Sequence, residues 1–199
     1  MTGSKIILAS GSAIRRELLT NAGIKFDVIT KPVDEAAIKA SLLNEGASVK
    51  NIADALAEAK SVRVSAQNEG LVIGADQIMT MDGILYDKPI SLAEAKNRLM
   101  KMRGKTHYLI GSVVISEAGH AIWRYMSKTK LDMRPFSEEF LDQYIEAEGE
   151  TILQSVGGYR FEGRGSQLFS KVEGDFFSIL GLSLLPVLDF LRDRGAISK

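Results

Sequence analysis

Short apolar runs alternate with amphipathic stretches along this chain, and that alternation predicts strands interleaved with helices. Apolar runs at residues 5–9, 26–30 and 71–75 predict short buried strands. Apolar positions at helical spacing predict helices that bury one face. These helices are expected near residues 12–22, 48–68, 91–102, 138–147 and 184–194.

The middle of the chain is expected to form hairpins. Asp82-Gly83 lies between two short strands, and Glu117–His120 joins two long strands at residues 105–116 and 121–132. Residues 176–191 are rich in apolar side chains but are interrupted by polar ones, which favours a strand end followed by a core-facing helix. Together these elements predict an α/β fold with a mixed sheet and helices on its faces.

Composition narrows the class of protein. A chain of 199 residues, 45% of them hydrophobic, can bury a sizeable core, so we expect one domain over residues 1–199, either undivided or built of two lobes around a cleft. The formal net charge is zero, so composition offers no general argument for nucleic-acid or membrane binding, and we expect neither partner. The absence of cysteine excludes disulfides, thiolate nucleophiles and cysteine-ligated zinc, and it agrees with a cytoplasmic location.

The start of the first predicted helix carries an unusual charge. Ser12 is a natural N-cap, yet Arg15 and Arg16 stand in the first turn, where roughly half a positive charge from the helix already disfavours cations. Backbone N–H groups, the hydroxyls of Ser10 and Ser12 and two guanidinium groups together suit a polyphosphate. Both arginines could instead be solvated surface residues. We favour the anion site because the local charge is unfavourable for a helix with nothing bound.

Two acidic positions follow predicted strands. Asp76 comes after a strand that is apolar on both faces, where open α/β sheets place their ligand crevice. A carboxylate there can bind a divalent cation or take a proton from water, and we favour these roles over that of a hydrogen-bonded turn residue. Asp34-Glu35 follows the second strand. Metal ligation and a solvated helix start with Asp34 as N-cap remain equally open for this pair.

Two lysines and a glycine-rich loop complete the candidates. Lys88 is held against Pro89 and could neutralise phosphoryl charge, although an exposed lysine is the default for this residue type. Lys60 borders the apolar face of its helix, where a side chain that extends its charge to solvent is the usual explanation. Glycines in residues 157–165 allow close backbone approach to a ligand. Glu162 at the centre of that loop could accept hydrogen bonds from a base edge, or be a plain loop carboxylate.

Seven blocks of the sequence together resemble the Maf family of nucleoside triphosphate pyrophosphatases. Seven blocks in order are much harder to meet by chance than any single one. They are residues 8–12 with 15–19, 33–35, 57–60, 74–77, 88–89, 104–107, and 173–175 running to 181–182. The resemblance implies a Maf/ITPase-like fold, with a twisted central sheet and a substrate cleft, and it suggests a homodimer.

The resemblance also implies an activity. The family reaction is metal-dependent hydrolysis between the α- and β-phosphates of a nucleotide, giving a nucleoside monophosphate and pyrophosphate, as housecleaning of modified nucleotides. Glu35 and Asp76 would lie near the divalent cation, Mg²⁺ or Mn²⁺, and Asp76 would accept a proton from the attacking water. The residues that would hold the triphosphate are Ser10, Arg15, Arg16, Lys60 and Lys88.

Three positions in the family vary with the substrate. The branch that acts on dTTP and UTP tends to carry Arg, Thr and Gln there, whereas the branch that acts on 7-methyl-GTP tends to carry Tyr, Gln and Glu. This chain has Ile14, Gln77 and Glu162, so two of the three match the second branch. A carboxylate can accept hydrogen bonds from guanine and can offset the positive charge of a 7-methylated ring. Ile14 lacks the aromatic face of a tyrosine.

Other functions remain open at this stage. The alternatives are a dTTP/UTP pyrophosphatase and a non-catalytic nucleotide-binding regulator of cell division, acting in septum formation. The presence of Asp76, Lys60 and Lys88 argues against an inactive enzyme, because a pure binder would not need the acid. A nucleic-acid binder has little support beyond Arg15-Arg16.

Overall fold

The computed structural model describes residues 4–198 and confirms the expected α/β architecture. Within those residues lie seven strands: β1 (Ile6–Leu8), β2 (Asp27–Val28), β3 (Leu71–Met81), β4 (Ile84–Tyr86), β5 (Thr106–Glu117), β6 (His120–Met133) and β7 (Phe169–Glu173). The helices are α1 (Ala13–Asn21), α2 (Glu35–Asn44), α3 (Val49–Ser65), α4 (Leu92–Met102), α5 (Glu138–Glu148), α6 (Phe176–Ile179) and α7 (Leu184–Asp193). Two 3₁₀ helices span Gly149–Gln154 and Arg164–Leu168.

All seven strands belong to one mixed sheet. Its strand order is β2-β1-β3-β5-β6-β7, with β4 paired to β3. β1 runs parallel to both β2 and β3, whereas the β3–β4 and β6–β7 pairs are antiparallel. The mixed sheet predicted from the alternation of elements is therefore confirmed.

The chain forms two compact units. Unit 1 contains the residues up to Gln77, Gly111–Ser127 and the residues from Phe176 onward. Unit 2 contains Ile78–Ile110 and Lys128–Asp175. Strands β3, β5 and β6 each contribute residues to both units. The cleft between two lobes remains a prediction.

Strands β1 and β3 are buried on both faces where they pair, as their continuous apolar sequence predicts, whereas the two residues of β2 are exposed. Ile6 and Leu8 of β1 point into one cluster, which Leu19 of α1 and Leu191 of α7 also enter. Ile7 points the other way, into a cluster that includes Val64 of α3. Successive side chains of a strand point to opposite faces, so a run of three buried apolar residues requires helices on both sides.

A ring cluster fixes the glycine-rich segment of unit 2. His107 is fully buried in β5, and its Nε2 atom lies 2.7 Å from the hydroxyl of Tyr159. The rings of Tyr159 and Phe169 pack edge to face, with centroids 4.9 Å apart. Burial lowers the pKa of His107 to about 4, so the imidazole is neutral at physiological pH. Because Phe169 is the first residue of β7, its contact with Tyr159 connects the glycine-rich segment to that strand.

Several predicted boundaries are corrected by the structure. β3 does not stop at residue 75 but continues to Met81, because Met79–Met81 pair with β4. Only residues 27–28 of the second predicted strand pair as strand. The segment 176–191 begins with the short helix α6 rather than a strand end, since β7 already ends before Gly174. Among residues 4–198, no helix combines the length and the apolar character needed to cross a membrane.

One glycine sets how closely α3 can approach the sheet. A Cβ atom on Gly74 of β3 would lie 2.3 Å from the carbonyl oxygen of Ala57 and 2.8 Å from the Cβ of Ser61. Both contacts are far shorter than van der Waals separation, so only glycine permits this approach. The hydroxyl of Ser61 also forms a 2.7 Å hydrogen bond with the hydroxyl of Ser116 on β5.

We expect Gly74→Ala to destabilise the protein by about 1–3 kcal/mol, because an overpacked backbone contact forces α3 away from β3. The measurement is the free energy of unfolding from denaturant titration. Gly11→Ala is the matched control, since a Cβ at Gly11 meets no atom within 4 Å. Equal stability of the two variants would contradict the close approach described here.

Candidate active site

Asp76 lies inside β3 but beyond the end of its parallel neighbour. The pairing of β1 with β3 ends at Leu8 and Ile73, so the strand continues past β1 before it reaches Asp76. The prediction that Asp76 follows the end of its strand is therefore wrong, because β3 continues to Met81. The residue is only 8% exposed, which makes its charge dependent on nearby groups.

Lys60 of α3 is the principal partner of Asp76. Its Nζ atom lies 2.6 Å from Oδ1 of Asp76 and 3.1 Å from Oε1 of Glu35. The Lys60 side chain is 15% exposed, and its ammonium is held between two carboxylates. The interpretation that Lys60 extends its charge into solvent is therefore wrong. Periodicity could show only that the residue stands at the border of the apolar face.

The two roles considered for the Asp34-Glu35 pair, helix capping and metal ligation, concern different residues in the structure. Asp34 caps α2, because its Oδ1 atom accepts a 2.9 Å hydrogen bond from the backbone N–H of Ala37. The next residue, Glu35, directs its carboxylate to Lys60. The helix-start interpretation is confirmed for Asp34, while metal ligation by Glu35 remains a prediction.

Arg15 of α1 is partly buried and hydrogen-bonded to the protein, so it is not a solvated surface residue. Its Nε atom donates a 2.7 Å hydrogen bond to the carbonyl of Gly181. Its Nη1 atom donates to the carbonyl of Ala75, at 2.7 Å, and to the hydroxyl of Ser10, at 3.1 Å. Ser12 caps the helix by accepting from the backbone N–H of Arg15, as predicted.

Charges of both signs meet in this group. Burial raises the pKa of Asp76 above its ordinary value, and Lys60 and Arg15 oppose that rise while Glu35 adds to it. Burial likewise lowers the pKa of Arg15, against the attraction of Asp76 and Glu35. Two cations and two carboxylates therefore balance one another.

The other predicted residues of unit 1 make contacts of their own or lie at the surface of α1. Gln77 donates from Nε2 to the carbonyls of Ser178, at 2.8 Å, and Ile179, at 3.3 Å. Ile14 is half-buried on α1, and Arg16 is exposed. The structure thus brings together Ser10, Arg15, Glu35, Lys60 and Asp76, with Gln77 adjacent in the chain.

Two predicted residues belong to unit 2. Lys88 lies in the segment between β4 and α4. Glu162 accepts a 3.0 Å hydrogen bond at Oε1 from Nε of Arg160, and Nη1 of that arginine lies 3.3 Å from Glu148. Glu162 is therefore part of an ion-pair network rather than a plain loop carboxylate. The roles of Lys88 and Glu162 in nucleotide binding stay predictions.

The end of α6 and the turn after it take part in the site, which no local sequence pattern predicted. The carbonyls of Ser178, Ile179 and Gly181 receive hydrogen bonds from Gln77 and Arg15. Gly181 has a φ of +98°, a backbone conformation that favours glycine. Residues 181–182 belong to one block of the family resemblance, and that block is the sequence signal that could have pointed to the contact between Arg15 and Gly181.

Comparison with known proteins identifies the family. Residues 5–194 match the family model described as Maf-like protein. The chain belongs to this family. A Maf-like relative from Caulobacter vibrioides, named nucleoside triphosphate pyrophosphatase, is 50% identical, and the match covers 100% of both chains. A relative of the same name from Paramagnetospirillum magneticum is 48% identical over 96% of this chain and 99% of its own.

A third Maf-like relative carries a more specific name. The protein from Rhizobium johnstonii is called 7-methyl-GTP pyrophosphatase and is 44% identical over 97% of this chain and 98% of its own. Relatives of both names therefore match this chain over nearly its whole length.

We expect Asp76 to titrate above the ordinary pKa of an aspartate, and Lys60→Met to raise that pKa further because it removes the nearest cation. Since the pKa of folded Asp76 exceeds its unfolded value, its contribution to stability should grow as the pH falls through the folded pKa. The measurement is ¹³C NMR titration of the aspartate carboxyls. Lys50→Met, at an exposed position of the same helix, should leave the value unchanged. A wild-type value at or below the ordinary one would contradict the burial argument.

Proposed function

We propose that this protein hydrolyses a nucleoside triphosphate to a nucleoside monophosphate and pyrophosphate, with Asp76 as the catalytic base. The observation that carries the proposal is the buried Asp76 carboxylate, held 2.6 Å from Lys60 beside Glu35 and Arg15. Membership of the Maf-like family supports it, because curated relatives over the full chain are named nucleoside triphosphate pyrophosphatases.

Asp76 is suited to take a proton from water. Burial raises the pKa of Asp76 and makes its carboxylate more basic than an exposed one, while Lys60 favours the ionised form. Lys60 contacts Oδ1, and within residues 4–198 no side chain or backbone group donates to Oδ2. Oδ2 accepts the proton while the water oxygen bonds to phosphorus. The anhydride between the α- and β-phosphates breaks, and the departing oxygen carries the negative charge.

The N-terminus of α1 binds the phosphates. Among the described residues, all hydrogen bonds of the Arg15 side chain leave from Nε and Nη1, so Nη2 remains for a phosphate oxygen. Arg16 is exposed beside it, and Ser10 supplies a hydroxyl. Lys60 and Lys88 complete the set that holds the triphosphate. Lys88 enters the proposal through the family resemblance alone.

The carboxylates fit a divalent cation that arrives with the nucleotide. No group of three acidic or histidine side chains suited to a metal occurs in the described part of the chain. Mg²⁺ is usually bound through one or two carboxylates together with substrate phosphates, so the pair of Glu35 and Asp76 is a sufficient protein contribution. When bound, Mg²⁺ or Mn²⁺ would offset the charge that develops on the phosphate oxygens.

Asp76→Asn should lower kcat by at least about 100-fold, because removal of a general base commonly costs that much. The fold should persist, since the side chains have the same size and Lys60 keeps Glu35 as a partner. The measurements are pyrophosphate release and circular dichroism. Asp54→Asn is the matched control, because Asp54 pairs with Arg124 and Ser112 and plays no part in the reaction. Near-normal turnover in Asp76→Asn would show that another group is the base.

The proposed substrate is 7-methyl-GTP. Gln77 and Glu162 match the branch with that activity, and relatives named 7-methyl-GTP pyrophosphatase are 43% and 44% identical to this chain. Arg160 fixes Oε1 of Glu162, so the carboxylate presents a defined orientation to a guanine edge. Nucleoside triphosphates are cytoplasmic metabolites, and we place the activity there.

A nucleotide panel tests the substrate directly. We expect pyrophosphate release to be faster with 7-methyl-GTP than with GTP, because only the methylated ring carries a positive charge that Glu162 can offset. Release should require added Mg²⁺ or Mn²⁺. A preference for dTTP and UTP would instead assign the chain to the pyrimidine-directed branch. Tight binding of every triphosphate without release would favour the non-catalytic regulator.

A further inference from the structure

Unit 2 contains a buried arginine to which the reaction assigns no role. Arg98 of α4 is 7% exposed. Its Nη1 atom donates to the backbone carbonyls of Asp87 and Val156, the second at 2.7 Å. Its Nη2 atom donates to Oε1 of Glu94 at 2.7 Å. A buried guanidinium is costly unless its donors are satisfied, and three acceptors on three segments satisfy this one.

The two carbonyls belong to segments that the proposed function uses. Asp87 directly precedes Lys88, which is proposed to hold the triphosphate. Val156 directly precedes the glycine-rich loop at residues 157–165, which carries Glu162. One guanidinium therefore fixes the backbone at the start of both segments, although they are about 70 residues apart in the chain.

Two contacts around Arg98 restrict the segment that contains Lys88 further. The guanidinium lies over the ring of Tyr86, 5.3 Å from its centre. The second oxygen of Glu94 accepts a 2.9 Å hydrogen bond from the backbone N–H of Ile90, which closes the turn after Lys88.

The two segments also lie close to each other. A Cβ at Gly158 would lie 3.7 Å from Pro89 and 3.6 Å from Ala95, and the φ of Gly158 is +70°. Pro89, next to Lys88, therefore leaves little space for a side chain at Gly158, at the start of the glycine-rich loop.

We propose that Arg98 is a positioning residue that fixes Lys88 relative to the loop bearing Glu162, so that the phosphate chain and the base of one nucleotide are held at a set separation. The inference rests on the proposed function and adds a residue that does not touch the substrate. Lysine cannot replace Arg98, because a single ammonium lacks the planar fork that reaches two carbonyls and a carboxylate together.

A double-mutant cycle tests whether Arg98 acts through Lys88. Arg98→Lys should lower kcat/KM for 7-methyl-GTP by about 10- to 100-fold, because small misplacement of a binding group costs that much. In the Lys88→Ala background the same change should cost less than about threefold, since the group that it positions is already gone. Losses that multiply in the double variant would indicate a merely structural role and would overturn the inference.

Two further measurements separate positioning from damage to the fold. Arg103→Lys is the matched control, because Arg103 caps the same helix and donates a 3.0 Å hydrogen bond to the carbonyl of Phe136, away from both segments. It should leave kcat/KM within about twofold of wild type. Hydrogen exchange of Arg98→Lys should accelerate at residues 87–91 and 155–160 but not in α3. Unchanged exchange at both segments would overturn the inference.

The outcomes also distinguish this inference from the proposed function. If Arg98→Lys does not fold, Glu94→Gln replaces it in the cycle, since it weakens the same network while Arg98 remains. If the wild type releases pyrophosphate but the losses multiply in the double variant, the inference is overturned while the proposed function stands. Absence of release from every nucleotide overturns the proposed function and the inference with it.

Discussion

The ion pair between Lys60 and Asp76 is the interaction on which the rest of the candidate site depends. A carboxylate that is 8% exposed would be protonated or destabilising without a cation against it. The 2.6 Å contact with Lys60 supplies that cation from α3, and Gly74 lets the helix come close enough to deliver it. A steric requirement on one glycine and an electrostatic requirement on one carboxylate are therefore met by the same packing of helix on strand.

The arginines at the start of α1 show how an unfavourable local charge can be compensated at long range. No acidic residue stands in the first turn of this helix. Arg15 instead donates to the carbonyls of Ala75 and Gly181, and it is attracted by Asp76 and Glu35. Without a ligand, the folded chain thus offsets the positive charge of Arg15 but not that of Arg16. Arg16 remains exposed, and it keeps the excess positive charge that a polyphosphate would neutralise.

Short-range sequence patterns predicted most helices and strands, whereas contacts between residues far apart in the chain could not be predicted from them. Ser12 caps α1 as predicted, and Ser91 and Ser137 cap α4 and α5 in the same way, because a cap depends on residues within one turn. The partners of Lys60 lie far away in the chain, so no local pattern could reveal them. The family resemblance marked Lys60 for attention, whereas Arg98, outside every matched block, had no such signal.

The division of the chain separates the reacting groups from Glu162, one of the residues proposed to select the base. Asp76 and Lys60 belong to unit 1, and Glu162, with its partner Arg160, belongs to unit 2. Each set is held by contacts inside its own unit. A substitution at Glu162 changes the charge offered to a base while the partners that set the pKa of Asp76 remain in place. This arrangement gives a physical route by which proteins of one family could keep a common hydrolytic step while their nucleotide preference diverges.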